Sequence, residues 1–219
     1  TLGGRFQGGG DFRFRTSQFT VQGQLRGLEL AKALRAVSGG KALSQILPLT
    51  ATISGKAEAS GSARTFKSDF DLQFTPPGHP PAGLRPVSGF ARGSFASMPS
   101  LTLNLAQAHL ETPHSTLTAQ GSFGLGLAQP GLRFRYSTTD FEEIRPLMQH
   151  IESFLEPIPL ELKSSAAFTG IVTGSVLHPG IQGHLSVGAF IYRGWAWQSF
   201  AASLRAFPQQ FQIDSGQLR

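Results

Sequence analysis

Thirteen carboxylates, six histidines and no cysteine are the side chains with which 219 residues could do chemistry. Without cysteine there is no thiol nucleophile, no disulfide scaffold and no Cys-ligated zinc or iron–sulfur site. His109/His114 and His178/His184 are the pairs that could approach a metal, but neither has the i, i+4 spacing of a helical ligand pair or a carboxylate cluster beside it. Asp69 and Asp71 alternate along one strand, and Glu142 and Glu143 open a helical stretch, so paired-carboxylate acid/base work finds no convergent geometry. Gly183 to Gly188 comes nearest to a hydrolase Gly-x-Ser-x-Gly elbow and is spaced wrongly. Gly40-Lys41 and Gly55-Lys56 are each followed by Ala and lack the upstream glycine of a phosphate loop, and Gly121 to Gly126 reads as turn glycine. The expectation is a protein that is not an enzyme and holds neither cofactor nor metal.

Binding is the better prospect. Lys and Arg total 19 against 13 acids, a net charge of +6, but only 15% of residues are charged, so the chain is mildly basic and not polybasic. Arg13/Arg15 and Arg133/Arg135 are interleaved with Phe12, Phe14, Phe134 and Tyr136, a pattern that suits single-stranded nucleic acid. Strand alternation sends Arg and Phe to opposite faces, however, so one base cannot meet both. A solvated basic face behind a greasy one is the expectation, with no nucleic acid as partner.

Period-two alternation dominates and calls for strands with one apolar and one polar face. It runs through Phe12–Phe14, Phe19–Val21, Phe70–Leu72–Phe74, Leu101–Leu103–Leu105, Leu132–Phe134–Tyr136, Leu185–Val187–Ala189–Ile191 and Phe211–Ile213. Gly8-Gly9-Gly10, Gly39-Gly40, Pro76-Pro77-Gly78, Pro130-Gly131 and Pro179-Gly180 punctuate it as turns. Helical spacing intrudes twice, over 28–37 with Leu30, Ala33, Leu34 and Val37 on one stripe, and over 140–155 with Ile144, Leu147, Met148, Ile151 and Leu155 on another. Asp140 and Glu143 are spaced as a capping box for the second. Ser164 to Tyr192 has no charge, but six Gly or Pro residues interrupt it, which argues against a membrane-spanning helix and for a soluble piece.

Phrases also recur. Arg13-Phe14-Arg15 returns as Arg133-Phe134-Arg135, 120 residues on, and Leu47-Pro48-Leu49 as Ile158-Pro159-Leu160, 111 on. Between them the stripe at Leu34 matches that at Leu147, and after them the strand at Leu72 matches that at Val187. Two β-repeat units follow, 1–110 with a helix near 28–37 and 111–219 with a helix near 140–155. The chain begins at Thr1, which reads as an internal piece of a longer tandem array, and an isolated piece of this kind is expected to dimerise through its cut sheet edges.

Gly174-Ser-Val-Leu-His-Pro-Gly-Ile-Gln-Gly-His-Leu185 resembles the recurrent Gly-x-apolar-x-x-Pro-x-apolar-x-Gly-x-apolar phrase of the TamB and AsmA-like family of envelope proteins. The continuation through Trp197, Leu204 and Phe211 to Leu218 resembles the strand–turn–strand phrasing of that family's repeats, so the close match spans 170–219. The resemblance implies an all-β fold, an elongated antiparallel β-repeat curled into a groove like a taco, to which the sequence adds two short packing helices. It also implies the periplasmic portion of an inner-membrane-anchored protein in a Gram-negative bacterium. The implied role is outer-membrane assembly and movement of phospholipid, with an outer-membrane β-barrel assembly protein as partner. No anchor helix and no C-terminal domain of the family is found in the chain.

A groove for acyl chains needs interchangeable apolar positions. Each CH₂ leaving water gains about 0.8 kcal/mol, so a chain of ~16 carbons gains roughly 12 kcal/mol and would be trapped by any single tight pocket. A row of near-equivalent positions lets it slide while the head group stays in solvent. The candidates are Phe12, Phe14, Phe70, Leu72, Phe74, Leu103, Leu105, Phe134, Leu185, Val187 and Ile191. For each of them the alternative is ordinary core packing, which would make the protein a closed structural β-repeat of a secreted or surface protein.

Overall fold

The structure is a computed structural model that describes residues 3–37, 48–62, 65–97, 101–124, 131–145, 159–174, 179–207 and 210–219. Its centre is a 12-stranded antiparallel sheet in which each long strand pairs with the long strands before and after it in the chain. These are β1 (Arg5–Arg13), β2 (Gln18–Glu29), β4 (Thr52–Gly61), β5 (Phe66–Thr75), β7 (Ser88–Ala96), β8 (Thr102–Glu111), β9 (Ser115–Gly124), β10 (Gly131–Thr138), β12 (Ala166–Gly174), β13 (Pro179–Val187), β16 (Phe200–Phe207) and β17 (Gln210–Leu218). Period-two patterning suits such a meander, because each strand offers one face to water. The sheet passes 110–111 without a break, since β8 and β9 are paired.

At one end of the strands the chain turns tightly at 14–17, and the Ser62 N–H donates to the Thr65 carbonyl at 2.7 Å. At the other end the chain leaves the sheet and builds a margin. There stand α1 (Leu30–Val37), β3 (Leu49–Thr50) paired in parallel with β6 (Arg85–Pro86), a 3-10 turn at Phe141–Glu143, and a three-stranded sheet of β11 (Leu160–Leu162), β14 (Phe190–Tyr192) and β15 (Trp195–Trp197). Buried residues gather under this margin. Leu30, Ala51, Ile53 and Val87 form one cluster, with Leu34, Leu72, Phe74 and Leu110 packed on it. Ala166, Val187 and Phe190 form the other, with Leu160, Leu162, Leu185, Trp197 and Phe200 around them. Leu30→Ala opens a void between α1 and the sheet and is expected to cost about 2–4 kcal/mol, read as a lower urea midpoint.

Three expectations need correction, and a fourth falls largely outside the described residues. The sheet is neither closed nor curled into a groove: every long strand's partners are its chain neighbours, so nothing brings β1 and β17 together. The first helix begins at Leu30 and not Leu28, because a register shift between Leu25 and Leu28 lets Leu28 and Glu29 go on pairing with Ile53 and Thr52. Gly27, at φ 71°, supplies that irregularity. Of the second helix, 140–155, the described part is the 3-10 turn and the helical Arg145 just after it, and Leu147, Met148, Ile151 and Leu155 lie outside the described residues. No capping box forms there. Asp140 accepts from the Glu142 N–H at 2.9 Å, while Glu143 turns away to the hydroxyls of Thr112 and Ser115.

The accessible surface is 14074 Å², against about 9,700 Å² for a compact monomer of the same mass, 23.4 kDa. A sheet that the described residues cover along one margin only is consistent with that excess. No described helix is long and apolar enough to cross a membrane.

Candidate functional site

Paired residues on neighbouring strands share a face, so the ladders trace continuous rows across the sheet. One row runs Phe6, Leu25, Gly55, Leu72, Ala91 and Ala108 from β1 to β8. It continues through Ala119, Phe134, Gly170, Gly183, Leu204 and Ile213 to β17. The row beside it runs Gly8, Gly23, Ala57, Phe70, Gly93 and Leu105. Its second half is Gly121, Leu132, Val172, Ile181, Ala206 and Phe211. Neither row contains a polar side chain. At ~4.8 Å per strand spacing each is roughly 53 Å long.

The other face is polar. Arg92 pairs with Asp71 at 3.1 Å, Lys67 with Asp69 at 3.2 Å, and Arg205 with Asp214 at 2.8 Å. His109 is engaged by Glu111 at 2.9 Å and stacks on Phe90, whose ring also takes Arg92 at 5.1 Å. An open depression of about 570 Å³ crosses β9, β10, β12 and β13 where Arg133, Arg135, Gln120 and Gln182 stand. His184 pairs with Ser203 across β13 and β16 on this face, and His178 lies outside the described residues. Among the described residues no three His, Asp or Glu converge as metal ligands would.

Small residues shape the apolar floor. A Cβ on Gly23 would stand 2.5 Å from the Phe6 ring, and one on Gly170 or Gly183 would stand 2.7 or 2.8 Å from that of Phe168. The rings therefore lie down over glycines of their own and the neighbouring strands instead of standing off the sheet. Phe134 and Phe168 meet at 5.5 Å between centroids, and Phe19, Phe66 and Phe95 follow one another at 6.3 and 6.1 Å near the tight-turn end.

The eleven candidates separate into four groups on this scaffold. Phe70, Leu103, Leu105 and Phe134, all half-buried, lie on the part of the apolar face that no described element covers, outside both buried clusters. Phe12 shares that face on edge strand β1, opposite Phe19. Leu72 and Phe74 pack against the first buried cluster, and Val187 and Leu185 belong to the second. Phe14 and Ile191 are displaced from the expected strands. Phe14 sits in the turn at 14–17, 87% exposed, with its ring edge-on to Phe12 at 4.8 Å, so alternation stops before it. Ile191 lies in β14, because the chain leaves the main sheet at Gly188 and Phe190 becomes the buried residue.

Phe95, Phe123, Phe168 and Leu204 share the apolar face with these residues and were not among the candidates. Alanine and glycine on the same strands, as in Ala91-Arg-Gly-Ser-Phe95 and Phe168-Thr-Gly-Ile-Val172, hide the period. Counting Gly and Ala as face-compatible is the signal that finds them.

Where the margin has no apolar cover it has a polar knot. Ser115 and Thr138 are buried, and the Ser115 hydroxyl meets Tyr136 Oη at 2.7 Å, Thr138 Oγ1 at 2.9 Å and the Glu143 carboxylate. Arg85 donates to the Glu143 carbonyl at 2.7 Å and to that of Glu142, binding β6 to the 3-10 turn. Burial raises the Tyr136 pKa above its ordinary 10.0. The unfolded chain therefore loses this proton first. Tyr136 contributes stability that is complete below pH 10.0 and is lost as pH climbs through the folded-state value. Tyr136→Phe is expected to flatten that alkaline limb in urea midpoints measured across pH 9–11.

Comparison with protein-family models, with curated proteins and with solved structures finds no match.

Proposed function

We propose that the uncovered apolar face carries phospholipid acyl chains, with the head groups in solvent beyond the tight-turn end of the strands. The observation that supports this is the pair of adjacent rows, each crossing all twelve strands without a polar side chain. A sheet must bury such a face. Among the described residues cover is built along one margin only, and the Phe6 and Phe168 rings lie over glycines, which suits a chain that slides more than one that is locked. In this reading the protein is non-enzymatic. It is the periplasmic portion of an inner-membrane-anchored envelope protein that shields lipid on its way to an assembling outer membrane, with an outer-membrane β-barrel assembly protein at the far end. The likeness of 170–219 to TamB and AsmA-like repeats supports that setting.

The test is organic extraction and mass spectrometry of the chain purified without detergent, beside a size-matched soluble β protein. Phospholipid enriched over the control is the expected result. No lipid, together with slow amide exchange along both faces of the strands, would mean that the apolar face is closed in solution and the protein is a structural β-repeat.

A further inference from the structure

Charge is unevenly shared along the polar face. No acidic residue occurs from Thr112 to Thr139 or from Leu162 to Ile213, so five consecutive strands, β9, β10, β12, β13 and β16, contain none. On β4 and β5 the same face has Glu58, Asp69 and Asp71, with Lys67 and Arg92 paired to the two aspartates. Arg133 and Arg135 are exposed and two residues apart on β10, which sets them about 6.8 Å apart on one face. Among the described residues neither has an ion-pair or hydrogen-bond partner. The depression of about 570 Å³ opens beside them. Ile171, opposite Arg133, makes its aliphatic floor: a Cβ on Gly131 would stand 2.7 Å from Ile171 Cδ1, so glycine there lets that side chain lie down. Gln120 and Gln182 continue the row of Arg133, and Thr118, Thr169 and His184 that of Arg135, all of them exposed.

We propose that this face binds an anionic polysaccharide, a sugar polymer with carboxylate groups. The charge is complementary, and each guanidinium fork matches a carboxylate through two parallel hydrogen bonds. Amides and hydroxyls around the forks donate and accept, as sugar hydroxyls require. Nucleic acid is disfavoured, because a base needs a ring to stack on and the Phe134 and Phe168 rings lie on the opposite face. Two guanidinium groups in so wide an opening suit singly charged carboxylates better than a densely phosphorylated or sulfated chain. A polymer is favoured over a small anion, since an open depression holds one carboxylate weakly and several linked ones together. The rows run across the strands, so such a polymer crosses β9 to β13 and comes up to Arg205, about 14 Å from Arg133 at three strand spacings. The lipid reading concerns the other face of the sheet, and the two stand or fall separately.

The experiment is isothermal titration calorimetry of the full chain with an oligogalacturonate, in low and in physiological salt. Saturable binding that weakens as salt rises is expected, with none to neutral dextran. Arg133→Gln/Arg135→Gln should bind at least about tenfold more weakly, as the loss of two charged hydrogen-bonding groups requires. Lys67→Gln/Arg92→Gln removes two positive charges from the same face, where acids already pair them, and should bind like the unmodified chain. Far-UV circular dichroism checks each fold. Should the first pair not fold, Arg133→Lys/Arg135→Lys keeps the charge but gives up the fork, and a loss of roughly several-fold is expected there. No binding by the unmodified chain overturns the proposal. So does equal weakening in both glutamine pairs, which would mean that net charge alone attracts the polymer. Oligothymidylate bound as tightly as the oligogalacturonate overturns it too, because the face would then select a nucleic acid or simply negative charge. Undiminished affinity in the lysine pair does the same.

Discussion

If the apolar face carries phospholipid as proposed, Phe134→Asp is expected to strip it from the protein while the fold survives. Phe134 lies between Ala119 and Gly170 in a continuous apolar row and touches the Phe168 ring, but it belongs to neither buried cluster. Its loss removes a ring from the floor and leaves the two clusters at the margin intact. A carboxylate there keeps its water, so an acyl chain cannot lie across it. Denying about four methylenes their apolar contact costs about 3 kcal/mol, or roughly a hundredfold in retention. The measurement is lipid per protein by mass spectrometry, with melting followed on the same samples. Arg133→Asp, one residue away on the opposite face, is the matched control and should retain its lipid. Undiminished lipid in Phe134→Asp would sink the reading. Should that variant unfold, Phe134 is core, and Leu105→Asp, also on the uncovered floor, puts the same question to a smaller side chain.

The face these substitutions probe was legible in the sequence wherever alternation used large residues. Phe70-Asp-Leu-Gln-Phe74 and Leu132-Arg-Phe-Arg-Tyr136 lie in β5 and β10 with one face apolar, as their period demands. Alternation could not say where a strand ends. Phe14 continues the pattern of β1, but the chain must reverse before Gln18, and Ser17, at φ 51°, marks the turn that takes Phe14 out of the sheet. Nor could it say which sheet a strand joins. Leu185, Val187, Ala189 and Ile191 keep one period, but Gly188 is where the chain leaves the main sheet for the margin, placing Ile191 beside Glu161 and Ala196. Local pattern sets which side chains share a face, whereas exit points are set by what the margin must cover. Openness was the least legible property. Whether a long apolar meander stays flat or curls depends on how twist and bulges add up over all its strands, and no single residue announces that sum.

The glycine floor predicts a large loss of stability at Gly183→Val. Gly183 and Gly170 are cross-strand partners, and a Cβ at 183 would stand 2.4 Å from the Thr169 carbonyl oxygen, 2.7 Å from Gly170 Cα and 2.8 Å from the Phe168 ring. The first two contacts are with backbone, so β12 and β13 must part. The third is with a ring that can swing away, but only by rising off the floor. Overpacking of this kind costs about 3 kcal/mol, a fall of roughly 6–12 °C in Tm for a chain of this length. Loss of amide protection should be concentrated in β12 and β13, where the ladder opens. Phe168→Ala removes the ring and so relieves only the third contact. The double variant is therefore expected to lose about 1 kcal/mol less than the two single losses added together. Strict additivity would mean that the ring does not rest on Gly183, and an unchanged Tm in Gly183→Val would mean that the strands have room the floor does not show. If the ring does rest there, raising it also puts an obstacle in the path of a sliding acyl chain. Lipid retained by Gly183→Val should then exchange more slowly with added vesicles than lipid on the unmodified protein, a change that simple loss of stability would not produce.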